Sequence, residues 1–277
     1  MSARAEPSVA RARSAVRSQS FADGPNRAVV AVVQFSLLFG FLALWEVGAR
    51  TKVIDTFFYS SPSQIWAFLV KWAQQGYLFS DIWTTMYETL AGLIIGGALG
   101  IVLGILLASN RLLGAVFEPL LVLLNAMPRI VLTPLFFLWF GLTAWSKIVS
   151  AIALVLFVVF FATYQGIKDV DPALVASARV LGAKRADIVR EVLVPSALSW
   201  IFSSLRSAVG FALIGAVVAE YIGAQAGVGY RISYAEQSLN TSGVFGGLAV
   251  LLVLVYFIDV GIRRLQRRLI SWKPRVL

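Results

Sequence analysis

Three ionisable residues, Arg129, Arg206 and Glu220, sit inside long apolar stretches of a chain that has no histidine and no cysteine. An ionised group within a membrane span costs roughly 2.5 to 3.5 kcal/mol on insertion scales, so each one that persists needs a partner or a task. A guanidinium at Arg129 or Arg206 can attract an anion or pair with a carboxylate, which makes both candidate pathway residues. Glu220 lies near the end of its stretch, where it can line a pathway or accept hydrogen bonds from the glycine-rich segment that follows. Asp259 has Arg263 four residues on, the spacing of a helical ion pair.

Most catalytic chemistry is closed to this chain. Without histidine or cysteine it offers no zinc site, no c-type haem attachment, no thiol nucleophile, no Ser-His-Asp triad and no disulfide. No lysine follows a glycine, so the phosphate loop with its Gly-Lys ending does not occur. Any ATP that drives this protein must therefore bind another subunit. Gly227-x-Gly229 is too short for a dinucleotide fingerprint, has no strand before it, and reads as a turn. No catalytic, cofactor-binding or metal-ligating residue is assigned.

The elements that position these residues are membrane spans. Of 277 residues 59% are hydrophobic and only 14% charged, with a mean hydropathy of +0.82, far too apolar for a water-soluble domain. A bilayer core about 30 Å thick needs roughly 20 apolar residues per helix. Six stretches qualify, approximately 28–48, 83–109, 115–138, 146–165, 197–221 and 244–262. The fold class is thus all-α integral membrane, with a basic tail over 1–27 expected to be disordered and a six-span transmembrane domain over 28–277. The tail can touch anionic lipid headgroups. Lysine and arginine in short flanking loops hold those loops in the cytoplasm. With both termini inside, 17 basic residues fall on the cytoplasmic side and 5 on the other, which favours that topology in a cell inner (plasma) membrane. The net charge of +10 is then a set of membrane anchors, and no nucleic-acid partner is expected.

Two spans carry a pattern of their own. Gly92, Gly96, Gly100 and Gly104 recur every four residues along the second, making a slanting groove that another backbone can approach closely. Helix packing within the subunit is the reading for that row. Pro119, Pro128 and Pro134 interrupt the third span, each deleting a backbone hydrogen bond, so it should bend and is a candidate pathway wall. Tyr230 and Tyr234 fit an aromatic interface belt.

Between the fourth and fifth spans lies a charged hairpin over 166–196. Asp171 followed by Pro172 is a good helix start, and Gly182 a good stop. A second amphipathic helix from about Lys184 to Leu193 is expected to stop at Pro195. Membrane proteins seldom place so many polar residues there without a soluble partner.

This hairpin resembles the cytoplasmic EAA loop of binding-protein-dependent ABC importer permeases. The matching residues are Ala176, Ser177 and Ala178, then Gly182 and Ala183, then Leu193, Val194 and Pro195. Ala176 stands where the family has glutamate, and Ser177 where it has its first alanine. LWEVGAR from Leu44, SPSQIW from Ser61, MPRIVLTPLFFLWFGLTAWSKI from Met127, LRSAVGFALIGAVVAE from Leu205 and GVGY from Gly227 extend the likeness toward the branch importing sulfonates, taurine, nitrate or bicarbonate. The resemblance implies a type I, MetI-like fold with a five-helix core formed by the second to sixth spans. It implies a homodimer with a second copy of the permease, two cytoplasmic ATPase subunits holding ATP and Mg, an extracytoplasmic solute-binding protein, and a small anionic solute. It further implies that the hairpin docks in a groove on the ATPase. Leu174, Ala178, Arg179, Leu181, Gly182, Ala183, Lys184, Arg185 and Ile188 are the expected coupling residues, with Leu174, Leu181 and Ile188 as the apolar contacts. The competing class, a secondary transporter or channel without an ATPase, needs acidic or histidine groups deep in the membrane, and this chain has few deep carboxylates and no histidine.

Overall fold

A computed structural model describes residues 27–269, and every regular element among them is helical. Apart from Arg27, the tail over 1–27 lies outside the described residues. The chain divides into two compact units, Met1–Thr56 and Phe57–Leu277.

In the first unit, helix α1 (Arg27–Arg50) is apolar on all sides, and its most apolar window buries nothing within the chain. A helix of that kind is at home in lipid. Its end is tied by the Glu46–Arg50 pair at 2.8 Å, one turn apart, and by the Ile54 N–H, which donates to the Gly48 carbonyl at 3.0 Å.

The second unit starts with α2 (Pro62–Gln74). Ser61 caps it by accepting from the Gln64 N–H at 3.3 Å, and Pro62 occupies the first turn, where a missing N–H costs nothing. Helix α3 (Tyr77–Ser109) follows Gly76, whose φ of +80° suits the chain reversal. At 1.5 Å per residue α3 is about 50 Å long, so it overhangs a hydrocarbon core of about 30 Å. Its first turns are those that sequence alone left out of the span.

The third crossing is broken. Helix α4 (Arg111–Ala126) contains Pro119, then a 3-10 turn (Arg129–Leu132) leads into α5 (Thr133–Phe140), and the two halves meet at 84°. Pro128 has no N–H to continue α4, and Pro134 sits in the first turn of α5, where it starts a helix rather than breaking one. Counting this pair as one, six segments among the described residues are long and apolar enough to cross a membrane.

Helices α6 (Ala144–Lys168), α7 (Pro172–Val180) and α8 (Arg185–Ile188) come next, then a π turn (Val189–Leu193) and α9 (Val194–Gly223). Pro195 does not stop the second hairpin helix. Helix runs without interruption from Arg185 to Gly223. The π turn explains why: the Val194 N–H reaches back five residues to the Val189 carbonyl, and this wider turn accommodates a proline that lacks an N–H. A further difference lies after Gly223, where the stretch read as a turn contains α10 (Val228–Gln237), begun by Gly227 at φ +105°. Helix α11 (Thr241–Leu269) completes the unit.

The core forms where α3, α6 and α9 lie side by side, with Leu93, Val155, Val159, Ala208, Val209 and Ala212 buried against one another. The glycine row of α3 faces α6. A Cβ on Gly92 would meet that of Ala151 at 2.3 Å, one on Gly100 the Leu156 carbonyl at 2.7 Å, and one on Gly104 the Thr163 Cβ at 2.7 Å. Gly96 faces Val155 in the same way, at 3.0 Å. Gly215 on α9 approaches the other side of Ala151, its Cβ position 2.6 Å from the Ala151 Cα. Dispersion contacts between closely spaced backbones hold helices together where lipid offers no hydrophobic drive. A second cluster, Trp72, Val228, Ile232, Val250 and Leu254, packs α2 and α10 onto α11.

Candidate functional site

The hairpin is built as two capped helices around a tight reversal. Asp171 accepts from the Ala173 N–H at 2.8 Å and opens α7. At its end the Ala183 N–H bonds the Ala178 carbonyl at 3.0 Å and the Gly182 N–H bonds the Arg179 carbonyl at 3.0 Å. This paired closure requires the φ of +85° that Gly182 adopts. Asp187 then accepts from the Lys184 N–H at 2.9 Å and starts α8. Leu174 and Leu181 project outward at 55% and 87% exposure, with Val180 beside them at 88%. Ile188 does not join them. It is 7% exposed and turned into the helix bundle, because α8 is the first turn of the long helix that packs against the core. The outward apolar group is thus Leu174, Val180 and Leu181, and the proximity of Val180 was not read from the sequence.

Arg129 sits at the corner of the broken crossing. Its Cζ lies 4.9 Å from the centroid of the Phe157 ring on α6, and its buried Nη1 has no hydrogen-bond partner among the described residues. The cation is held over an aromatic face with donors to spare. Arg206 is different. Its Nη2 donates to Gln266 at 3.1 Å and its Nε lies 3.8 Å from Asp259, which also pairs with Arg263 at 2.5 Å. The two arginines therefore separate: Arg206 has a carboxylate, and Arg129, at a helix break, has no ion pair among the described residues.

Glu220 is fully buried at the end of the bundle opposite the hairpin. It accepts from the Thr85 hydroxyl at 2.7 Å and from the Gly229 N–H at 2.7 Å, while the Thr85 oxygen accepts from the Val228 N–H at 2.9 Å. One turn earlier on α3, Asp81 accepts from the Trp72 indole at 3.0 Å, the Gly227 N–H at 2.9 Å and Arg231 Nε at 2.6 Å. Two acidic residues from different helices thus take up the free N–H groups where α10 begins. Glycine is needed at 227 and 229, since a Cβ on either would meet the Glu220 side chain within 3.0 Å. Glu88 and Lys147 lie beside this network, both buried, with Lys147 Nζ donating to the Leu142 carbonyl at 3.1 Å. Asp81, Thr85 and Glu88 were missed in the sequence, although their spacing of three to four residues puts them on one face of α3.

The chain matches the model of the family described as binding-protein-dependent transport system inner membrane component over residues 100–271. It is 33% identical over 232 residues to an aliphatic sulfonates transport permease protein of Bacillus subtilis (strain 168), covering 84% of each chain. It is 29% identical over 240 residues to the taurine transport system permease protein of Escherichia coli (strain K12), covering 85% of this chain and 87% of that one. A formylaminopyrimidine transport permease protein of Halalkalibacterium halodurans is 33% identical over 239 residues, covering 84% and 93%. Among solved structures, an inward-facing conformation of the MetNI methionine ABC transporter superposes with a TM-score of 0.62 at 21% identity, covering 69% of this chain and 95% of that one.

Proposed function

Since this chain belongs to the inner-membrane components of binding-protein-dependent transport systems and is a permease of the ABC importer class, we propose that it forms, with a second copy of itself, the path for a small organic anion of the sulfonate or taurine kind. Two separate ATPase subunits bind ATP and Mg, and an extracytoplasmic binding protein delivers the solute. Both termini and the hairpin face the cytoplasm, as the distribution of basic residues favours.

The observation that most supports this reading is the helix from Arg185 to Gly223, 39 residues without a break. At 1.5 Å per residue it spans about 58 Å, so a displacement of its hairpin end moves the far end as well. That far end carries Glu220, which holds the start of α10. ATPase closure pushes on Leu174, Val180 and Leu181, and the rigid connection switches the path from inward-open to outward-open. Arg129, a cation in the broken crossing with no ion pair among the described residues, is the residue we assign to the passing anion, since discontinuous helices in transporters build their sites at such breaks. The test is uptake into proteoliposomes holding permease, ATPase and binding protein. Uptake should require ATP and survive a proton uncoupler; ATP-independent uptake abolished by the uncoupler would identify a secondary transporter instead.

A further inference from the structure

A cavity of ≈ 600 Å³ opens at the hairpin end of the spans, between the end of α3, the start of α4 and the hairpin. Three arginines from three elements line it: Arg111 on α4, Arg179 on α7 and Arg185 on α8. No acidic side chain shares that lining. Among the described residues Arg111 and Arg179 have no ion pair or hydrogen bond, while Arg185 donates to the Ser109 backbone carbonyl at 2.7 Å. The Ser109 hydroxyl, also in the lining, is buried and has no partner among the described residues. The remaining walls are apolar, with Val175, Ile188 and Leu193 among them.

Three guanidiniums around one space raise the local positive potential, which favours an anion between them. General anchoring to the membrane surface does not require them to converge: Arg190, also on the hairpin, stands outside the lining and lies 3.5 Å from Glu191. Guanidinium donors and a free hydroxyl suit a tetrahedral oxyanion, whose oxygens accept several hydrogen bonds at once. We propose that this cavity is a binding site for a phosphate-type oxyanion, supplied either by the headgroup of an anionic lipid or by a free anion. Its place at a span end puts it at headgroup level, where basic pockets between helices take lipid phosphates. A bound oxyanion bridges Arg111, at a span end, to Arg179 and Arg185, on the hairpin. Occupancy therefore fixes the hairpin against the neighbouring span ends and adjusts how freely it moves.

The site is tested on the full-length permease in nanodiscs by native mass spectrometry and thermal unfolding. One arm compares phosphatidylcholine discs with discs that also contain phosphatidylglycerol; the other adds inorganic phosphate to phosphatidylcholine discs. At about 1 kcal/mol per cationic residue near a lipid surface, each lost arginine should weaken binding roughly fivefold. Retained phosphatidylglycerol that is lost in the Arg111→Gln/Arg179→Gln variant, but kept in Arg190→Gln, identifies a lipid as the ligand. Stabilisation by phosphate with the same dependence identifies a free anion. The Arg111→Lys/Arg179→Lys variant preserves charge and should keep part of the binding, which separates loss of the site from misfolding. Equal binding by the double glutamine variant and the parent overturns the proposal, as does a crosslink placing an ATPase carboxylate in the cavity.

Discussion

Arg231 donates from Nε to Asp81 at 2.6 Å, joining helices 150 residues apart in sequence, and the same carboxylate takes the Trp72 indole and the Gly227 N–H. A carboxylate on α3 with one donor from α2 and two from the start of α10 is a tie point. Replacing it orphans all three.

Asp81→Ala should therefore destabilise the permease by about 3–5 kcal/mol, the cost of breaking a buried pair by removing one partner. Arg50→Gln, which removes an exposed pair with Glu46, should cost no more than about 1 kcal/mol. Thermal unfolding in one detergent compares the two. Equal midpoints would show that the Asp81 tie carries no more weight than a surface pair.

Gly100→Leu should abolish the folded protein, because a side chain there drives into the backbone of α6 at Leu156 and Phe160. Gly210 on α9 has open space for at least 4 Å around the position a Cβ would take, so Gly210→Ala should be neutral or stabilising by up to about 1 kcal/mol through helix propensity. Size-exclusion profiles and melting midpoints of the two variants check the contrast.

On the hairpin, Leu181→Asp and Ile188→Asp should fail for different reasons. Leu181 is exposed, so its variant should melt like the parent yet lose ATP-stimulated uptake or retain less ATPase on purification. Ile188 is buried, and an aspartate there should cost more than about 2 kcal/mol of permease stability. Loss of ATPase binding by Ile188→Asp with an unchanged melting midpoint would reverse these assignments.

If Arg129 lines the proposed anion path, Arg129→Gln should lower uptake roughly tenfold or more, since a hydrogen bond to a charged group is worth about 1.5–3 kcal/mol. Arg206→Gln breaks a partly exposed contact of 3.8 Å and should lower it less than about fivefold. Uptake rates, normalised to folded complex, separate the two. Equal losses would mean that Arg129 serves structure alone.

Much of this architecture was legible because lipid imposes simple demands on sequence. Apolar runs marked the spans, and Gly182 marked the hairpin reversal, since its φ of +85° is one that few other residues accept. What stayed hidden involved contacts between distant parts of the chain. Pro195 carries a local stop signal, but the π turn before it lets the helix continue. Asp81 sits in a turn of α3 too polar to count as span, and its partners at 72, 227 and 231 become visible only when three helices meet. Ile188 has the amphipathic spacing of a docking residue, yet which side of that short helix faces a partner depends on the span to which it is fused.

Coupling through the hairpin is tested most directly at Leu181. This chain has no native cysteine, so with cysteine-free partner subunits Leu181→Cys supplies a single spin-label site in each copy of the permease. Double electron–electron resonance between the two labels should report a shorter separation when the ATPase is trapped in its closed, nucleotide-bound form than without nucleotide. A separation that stays the same in both states, in a complex that still hydrolyses ATP and imports solute, would contradict the hairpin as the element that carries the motion.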